Sequence, residues 1–282
     1  MYKLFDIQRN SFVDGPGIRT TVFFSGCNLK CAWCHNPESQ SGKKYIFHYT
    51  DKCAMCKKCN FVCENGAIDC GKIDYLKCTF CQKCELMCPE SALKLCGTEK
   101  SEDELFSVLI KDKPYYDNSG GGVTFSGGEC MLYPDELSKI LKRLKENNIH
   151  TAVDTAGNVL WESFEKVTGS TDLFLYDIKM TDDAKHKKYT GVSNVRILEN
   201  LKRLFNLKAN VWIRVPVIGG INDTKEDMLA IKKFLLPYSP LEIQLLPYHR
   251  MGENKYRALG LKGEEFKVPD EEKMKELRAV FE

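Results

Sequence analysis

Between Cys53 and Cys96 the chain carries ten cysteines, and eight of them fall into two copies of one spacing. The stretch "CAMCKKCNFVC" sets Cys53, Cys56, Cys59 and Cys63 at gaps of two, two and three residues. The stretch "CTFCQKCELMC" repeats those gaps at Cys78, Cys81, Cys84 and Cys88. A secreted chain would use so many thiols for disulfides. Here 282 residues can bury a core without staples, and the N-terminal "MYKLFDIQRNSFVDG" lacks the apolar stretch of a signal peptide. No apolar run approaches a membrane span, so a cytoplasmic, reducing setting is expected, where clustered thiols bind metal. The formal net charge is only +2, which gives no general pull toward nucleic acid or an anionic membrane.

The repeated run is the bacterial ferredoxin signature, in which three cysteines hold one cubane and the fourth reaches across to the other. By that pattern Cys53, Cys56, Cys59 and Cys88 bind one 4Fe–4S cluster, and Cys78, Cys81, Cys84 and Cys63 bind a second. A pair of zinc ribbons also uses C-x-x-C knuckles, but it leaves the three-plus-one grouping unexplained. Pro89 follows Cys88 as the signature asks, whereas Glu64 follows Cys63 and is expected to alter the local turn without abolishing the site. Cys70 and Cys96, at nearly equivalent places in the two halves, are expected to be buried apolar residues beside the clusters.

Outside this segment, β-branched apolar runs alternate with amphipathic ones. "IRTTVFFSG", "GVTFSGG", "HTAVDTAG", "DLFLYDIK", "NVWIRVPVIGG" and "LEIQLLPYH" read as strands; "PDELSKILKRLKENN", "NVRILENLKRLF", "TKEDMLAIKKFLL" and "PDEEKMKELRAVFE" read as helices. Such alternation implies a parallel sheet with right-handed crossovers. Six strands are too few for a closed eight-fold barrel, so the expected fold is α/β, a partial (β/α)6 barrel with an inserted small α+β ferredoxin-like domain. The expected division is 1–48 for the first strand and its loop, 49–98 for the insert and 99–282 for the rest of the barrel. Polar and glycine residues gather at the carboxyl ends of the strands, where such sheets place their sites. They are Gly26 and Cys27 after the first; Ser126, Gly127, Gly128 and Glu129 after the second; Asp154 and Thr155 at the third; Asp177 and Lys179 at the fourth. Arg214 lies within the fifth and His249 just past the sixth.

The first strand leads into "SGCNLKCAWCHNPES", with Cys27, Cys31 and Cys34 and no fourth cysteine. Three thiolates on a cubane leave one iron open, and an open coordination position is the mark of a catalytic centre. The competing reading is a zinc site completed by His35 or a distant residue.

These residues resemble the radical S-adenosylmethionine superfamily, and "DGPGIRTTVFFSGCNLKCAWCHNPES" is similar in particular to the activating enzymes of glycyl radical enzymes. "TFSGGE", "DTAG", "YDIK", "VWIRVPVIGGIND" and "LLPYHRMGENKYRALG" carry the resemblance through the whole chain in the same order. The insert resembles that of the larger members; the short pyruvate formate-lyase activating enzyme lacks it. The resemblance implies three 4Fe–4S clusters, with S-adenosylmethionine chelated by the open iron. One electron then breaks the cofactor's carbon–sulfur bond, and the resulting 5'-deoxyadenosyl radical takes a hydrogen from a backbone glycine of a partner enzyme. The implied partner is a dehydratase, lyase or decarboxylase of a small polar metabolite such as hydroxyproline, glycerol, choline or hydroxyphenylacetate. Flavodoxin or ferredoxin is the implied electron donor, the chain is expected to act as a monomer, and the host is expected to be anaerobic. A ferredoxin-like carrier and a radical enzyme acting on a small molecule are the alternative functions.

The same resemblance implies roles for individual residues. Gly127, Gly128 and Glu129 match the motif that meets the methionine amino group, although Cys130 stands where the family has proline. Asp154, Thr155 and Asp177 match positions that hold a monovalent cation in some relatives. Lys179, Arg214 and His249 match cofactor contacts, with an internal salt bridge from Lys179 to Asp177 or Asp154 as the competing reading. Asp14, in "VDGPGIRT", matches a residue that holds the partner's glycine loop, against the plainer reading of a turn. Trp33 and His35 are expected to shield or hydrogen-bond the cubane, while His48, His150 and His186 are expected to be ordinary surface or core residues.

Overall fold

The computed structural model describes Met1–Glu282. A hairpin joins β1 (Tyr2–Ser11) to β2 (Arg19–Phe24). The cysteine-rich insert follows with β3 (Tyr45–His48), α1 (Lys58–Val62), β4 (Ile68–Asp69), β5 (Lys72–Ile73), α2 (Lys83–Leu86) and β6 (Leu93–Cys96). Then come β7 (Thr98–Lys100), α3 (Glu102–Leu109) and α4 (Lys113–Ser119). From β8 (Gly122–Gly127) the elements alternate: α5 (Pro134–Glu146), β9 (His150–Thr155), α6 (Trp161–Thr168), β10 (Leu173–Asp177), α7 (Asp183–Thr190) and α8 (Val195–Asn206). The chain finishes with β11 (Val211–Val217), α9 (Lys225–Leu235), β12 (Glu242–Pro247), α10 (Glu253–Ala258) and α11 (Glu271–Arg278).

The main sheet has the order β12-β11-β10-β9-β8-β2-β1-β7. The six strands expected from the sequence are its parallel members, and helices fill their crossovers. Two antiparallel strands at one end of the sheet, β1 and beyond it the edge strand β7, lie outside the runs read as strands. The reason is visible in "YKLFDIQRNS": Tyr2 and Leu4 are buried where β7 pairs with the strand, but beyond them Asp6, Gln8, Arg9 and Asn10 are exposed, so the run lacks the apolar continuity of the parallel strands.

Strand periodicity sorts residues between two faces. In β11, Val211, Ile213, Val215 and Val217 enter the main core beneath the helices, leaving Trp212, Arg214 and Pro216 on the other face. Val123 and Phe125 of β8, Val153 of β9, and Phe174 and Tyr176 of β10 belong to the same core. The intervening positions, among them Thr124, Ser126, Asp154, Asp177 and Arg214, therefore line the inner face. No helix of the chain is long and apolar enough to cross a membrane.

In the insert, β3 pairs with β6 and β4 with β5, so its ladder starts at Tyr45. The internal repeat is visible as geometry. Lys57 and Gln82, both left-handed (φ 59° and 66°), precede α1 and α2. The amide of Ala67 donates to the Cys63 sulfur at 3.1 Å, and that of Ala92 to the Cys88 sulfur at 3.3 Å. The turn after Cys63 thus matches its counterpart although Glu64 replaces proline; the Glu64 carboxylate meets Lys83 of the other half instead.

Candidate active site

The triplet loop leaves β2 at the carboxyl edge of the sheet and is tied down on three sides. Gly26 N–H donates to Ser39 O at 2.6 Å, while the amides of Lys30 and Ala32 donate to Thr190 O and Tyr189 O at the end of α7. On the third side, Lys255 of α10 donates to Asn36 Oδ1 at 2.7 Å and to Glu38 Oε1 at 2.5 Å. Glu38 is buried, so this ion pair is a clamp on the loop whose loss on the Lys255 side would strand a buried charge. Trp33 is buried against Met180, Ile218, Tyr248 and Phe266, which fixes the loop's apolar side.

Burial pushes the free thiols of Cys27 and Cys31 up to about 12 and raises that of Cys34. Thiols so reluctant to ionise become thiolates when metal displaces their protons. Against burial, which pulls it down, Lys179 is held well above its usual range by Asp177 and then by Cys31 and Cys27. The fourth strand tip is thereby placed electrostatically beside the triplet. His35 stacks on His249, with ring centroids 3.9 Å apart, and its Nε2 lies 2.9 Å from the His249 carbonyl. His249 itself is exposed at the rim.

Next to the loop, the inner face holds a set of buried charges. Arg214 Nη1 lies 3.2 Å from Asp154 and 3.8 Å from Asp14, and Lys179 pairs with Asp177 at 2.7 Å. Ser126 donates to Asp154 at 2.7 Å. Burial pushes Asp154 up to about 6 even with Arg214 beside it. The internal Lys179–Asp177 pair weighed from the sequence is therefore present. Asp14 is buried at the base of this set, where its Oδ2 accepts from Ser11 and Thr21.

The "SGGE" turn packs directly on the root of the triplet loop. Gly127 has φ +121°, and a Cβ there would stand 2.2 Å from Phe24 N; one on Gly128 would stand 2.2 Å from Gly26 O. Both glycines are thus required by the packing of this turn on the root of the triplet loop. The Glu129 carboxylate is buried and accepts from Thr155 Oγ1, Met131 N and Ala156 N. It braces the β8 turn to the β9 turn through Thr155 and Ala156. Cys130 is fully buried with its Sγ directed at Phe125 O (3.4 Å), so an apolar thiol fills the proline position.

Burial holds Glu129 at about 7 against an ordinary value of 4.5, despite its three donors. The folded chain keeps a proton that the unfolded chain releases. The associated stability is complete below about pH 4.5 and is lost as pH rises through about 7. Glu129→Gln does not titrate, so the stability gap between wild type and variant should narrow by up to about 3 kcal/mol from acid to neutral pH. Thermal unfolding of both proteins at several pH values checks this; a constant gap would remove Glu129 as the titrating group.

In the insert, the cysteines line two separate cavities. One is walled by Cys63, Cys78, Cys81 and Cys84 together with Ile46, Ala67, Ile68 and Ile73. The other is walled by Cys53, Cys56, Cys59 and Cys88, with Cys70, Pro89 and His48. Each wall thus mixes three cysteines of one half with the fourth of the other, the crossed arrangement that two cubanes require. Nowhere do three His, Cys, Asp or Glu side chains converge closely enough to hold a single ion. Cubane thiolates bind four different irons and stand around a volume, so these donor sets fit clusters. Cys96 is buried beside Phe47 and Ala258, whereas Cys70 is half-buried on the cavity wall.

Comparison with known proteins agrees with this geometry. The Radical SAM superfamily model matches residues 75–235, and a 4Fe-4S single cluster domain model matches residues 13–67. The chain is 46% identical to the trans-4-hydroxy-L-proline dehydratase activating enzyme of Clostridioides difficile, across 98% of this chain and 95% of that one. It is 42% identical to the choline trimethylamine-lyase activating enzyme of Oleidesulfovibrio alaskensis (91% and 86% covered). It is 40% identical to the 4-hydroxyphenylacetate decarboxylase activating enzyme of Clostridioides difficile (99% and 92%). Streptococcus suis SuiB, solved with its precursor peptide SuiA, shares the fold at a TM-score of 0.58 and 14% identity, over 93% of this chain and 44% of that one. With the open cysteine triplet, the charged strand tips and these relatives in agreement, the chain belongs to the radical S-adenosylmethionine superfamily and, within it, to the activating enzymes of glycyl radical enzymes.

Proposed function

We propose that the chain installs a glycyl radical on a hydroxyproline dehydratase, using a cluster on Cys27, Cys31 and Cys34 that binds S-adenosylmethionine. The observation that supports the chemistry is the placement of that triplet, lacking a fourth thiolate, against the buried charges of the inner face. When bound, the reduced cluster supplies the electron that splits S-adenosylmethionine into methionine and the 5'-deoxyadenosyl radical that takes the glycine hydrogen.

The protein's own residues would bind and orient. Lys179 and Arg214 offer cationic donors for the cofactor carboxylate, and Arg214 Nε is buried without a partner. Asp14, Asp154 and Asp177 face Lys179, Arg214 and, beside Asp14, the buried Arg19, so the carboxylates of the inner face are matched by cations. The carboxylate oxygens of Asp154 and Asp177 are hard ligands that would suit a monovalent cation beside the cofactor. Gly127 and Gly128 bring backbone, without side chains, close to the loop root. His249, stacked on His35, offers a rim for the ribose and adenine side, and Asp14 offers a base for the partner's glycine loop. The two insert clusters are proposed as a relay from a flavodoxin or ferredoxin.

The identity to the hydroxyproline dehydratase activating enzyme supports the choice of partner. Reduced protein and S-adenosylmethionine are mixed under anoxia with hydroxyproline dehydratase, choline lyase, isethionate lyase or hydroxyphenylacetate decarboxylase in turn. A glycine-centred doublet by electron spin resonance is expected with the first, at least about tenfold stronger than with the others, a preference of about 1.4 kcal/mol. A stronger doublet with another partner would replace the dehydratase. Turnover of a small molecule with no doublet anywhere would sink the whole reading.

A further inference from the structure

The two insert cavities have a shared wall with a difference built into it. Strand β3 turns Ile46 toward the cavity of Cys63, Cys78, Cys81 and Cys84, and two residues on it turns His48 toward that of Cys53, Cys56, Cys59 and Cys88. Ile46 has an apolar side chain at its cavity. His48 brings a ring nitrogen, and its Nε2 is buried with no hydrogen-bond partner anywhere in the chain. An imidazole nitrogen left unpaired in this way loses its hydration and gains nothing in return. The ring's seat is nevertheless specific. Gly71, at the β4–β5 bend with φ +83°, faces it so closely that a Cβ there would stand 2.1 Å from its Cε1. A position that keeps a glycine in order to hold an unpaired imidazole against five cysteines is built to contact something in that cavity.

We infer that His48 donates an Nε2–H hydrogen bond to a sulfur of the cluster held by Cys53, Cys56, Cys59 and Cys88, and thereby sets its potential apart from that of its twin. This rests on the assignment of those four cysteines to one cluster. A donor at a cluster sulfur stabilises the more negative, reduced state and so raises the reduction potential. His48 is a positioning and tuning residue; the repeat supplies its own control, because Ile46 does none of this at the other cavity.

The test compares anaerobically reconstituted wild-type holoenzyme with His48→Phe and His48→Gln. Iron is counted first. About twelve irons per wild-type chain is expected, and about four would overturn the cluster assignment itself. The three cluster potentials are then followed by electron spin resonance during reductive titration. Pulsed resonance on protein labelled with ¹⁵N-histidine reports any ring nitrogen near a cluster. In His48→Phe one insert cluster should become harder to reduce while the other two clusters hold their potentials. His48→Gln should recover part of the shift, and a nitrogen coupling present in wild type should vanish in both variants. Full iron, unmoved potentials and no His48-dependent coupling would overturn the proposal. Where His48→Phe fails to retain iron, the wild-type coupling and its loss in His48→Gln decide.

Discussion

Cys31→Ala is expected to bring glycyl radical formation and S-adenosylmethionine cleavage to background while leaving about eight of about twelve irons in place. The asymmetry follows from the separation of the three donor sets. The insert cysteines line their own cavities and pack in their own small core with Ile46, Ile68 and Leu93, so loss of a triplet thiol does not reach them. The triplet has no spare ligand. Cys130 is fully buried beneath Phe125 O and Asp154 O, and Cys96 lies in a separate apolar cluster. Cys130→Ala and Cys96→Ala should therefore keep the full iron content and most of the activity, with stability lower by roughly 1 kcal/mol from the lost burial. Iron and sulfide counts, together with cofactor cleavage assays, separate these outcomes. A Cys31→Ala protein that still cleaves S-adenosylmethionine would remove the triplet from the chemistry.

What the sequence made legible was what travels in local spacing. The cysteine gaps, the alternation of runs and the polar residues ending each strand needed only nearest neighbours along the chain. Strand alternation then brought Asp154, Asp177 and Arg214 to the same inner face. What could not be read were the pairings made across the fold. Glu38 sits in "NPES" like any surface acid, yet it is buried under Lys255, 217 residues away in sequence. A carboxylate between a proline and a serine, in a loop bearing metal ligands, was the one available hint. Nor does the motif reveal that the Glu129 carboxylate braces two strand tips, since its donors Thr155 and Ala156 come from the next strand. The Thr155 hydroxyl likewise donates to Glu129, a partner 26 residues away that no local pattern announces. His48 carried no pattern at all, since its meaning depends on Gly71 lying opposite.

Arg214→Met is expected to lower stability by about 3–5 kcal/mol, the cost of removing one partner from a buried ionic set. Arg214 is nearly enclosed: burial alone would pull its charge down, yet Asp154, Asp177 and Asp14 hold it above its usual range. Without it, Asp14 and Asp154 face each other across the inner face with only Ser11, Thr21 and Ser126 as donors. Asp154, already pushed up to about 6, should then take up a proton near neutral pH and recover part of the loss. The fall in melting temperature, roughly 10 °C for a chain of this size, should consequently be larger at pH 8 than at pH 6. Arg214→Lys keeps the charge and most of the pairing but loses the planar fork and the buried Nε donor. Its stability should stay within about 1.5 kcal/mol of wild type, while KM for S-adenosylmethionine rises by about tenfold, the weight of one charge-assisted bond. The two variants together divide the roles of the residue. A stable Arg214→Met would deny the ionic anchor, and an unchanged KM in Arg214→Lys would deny the cofactor contact.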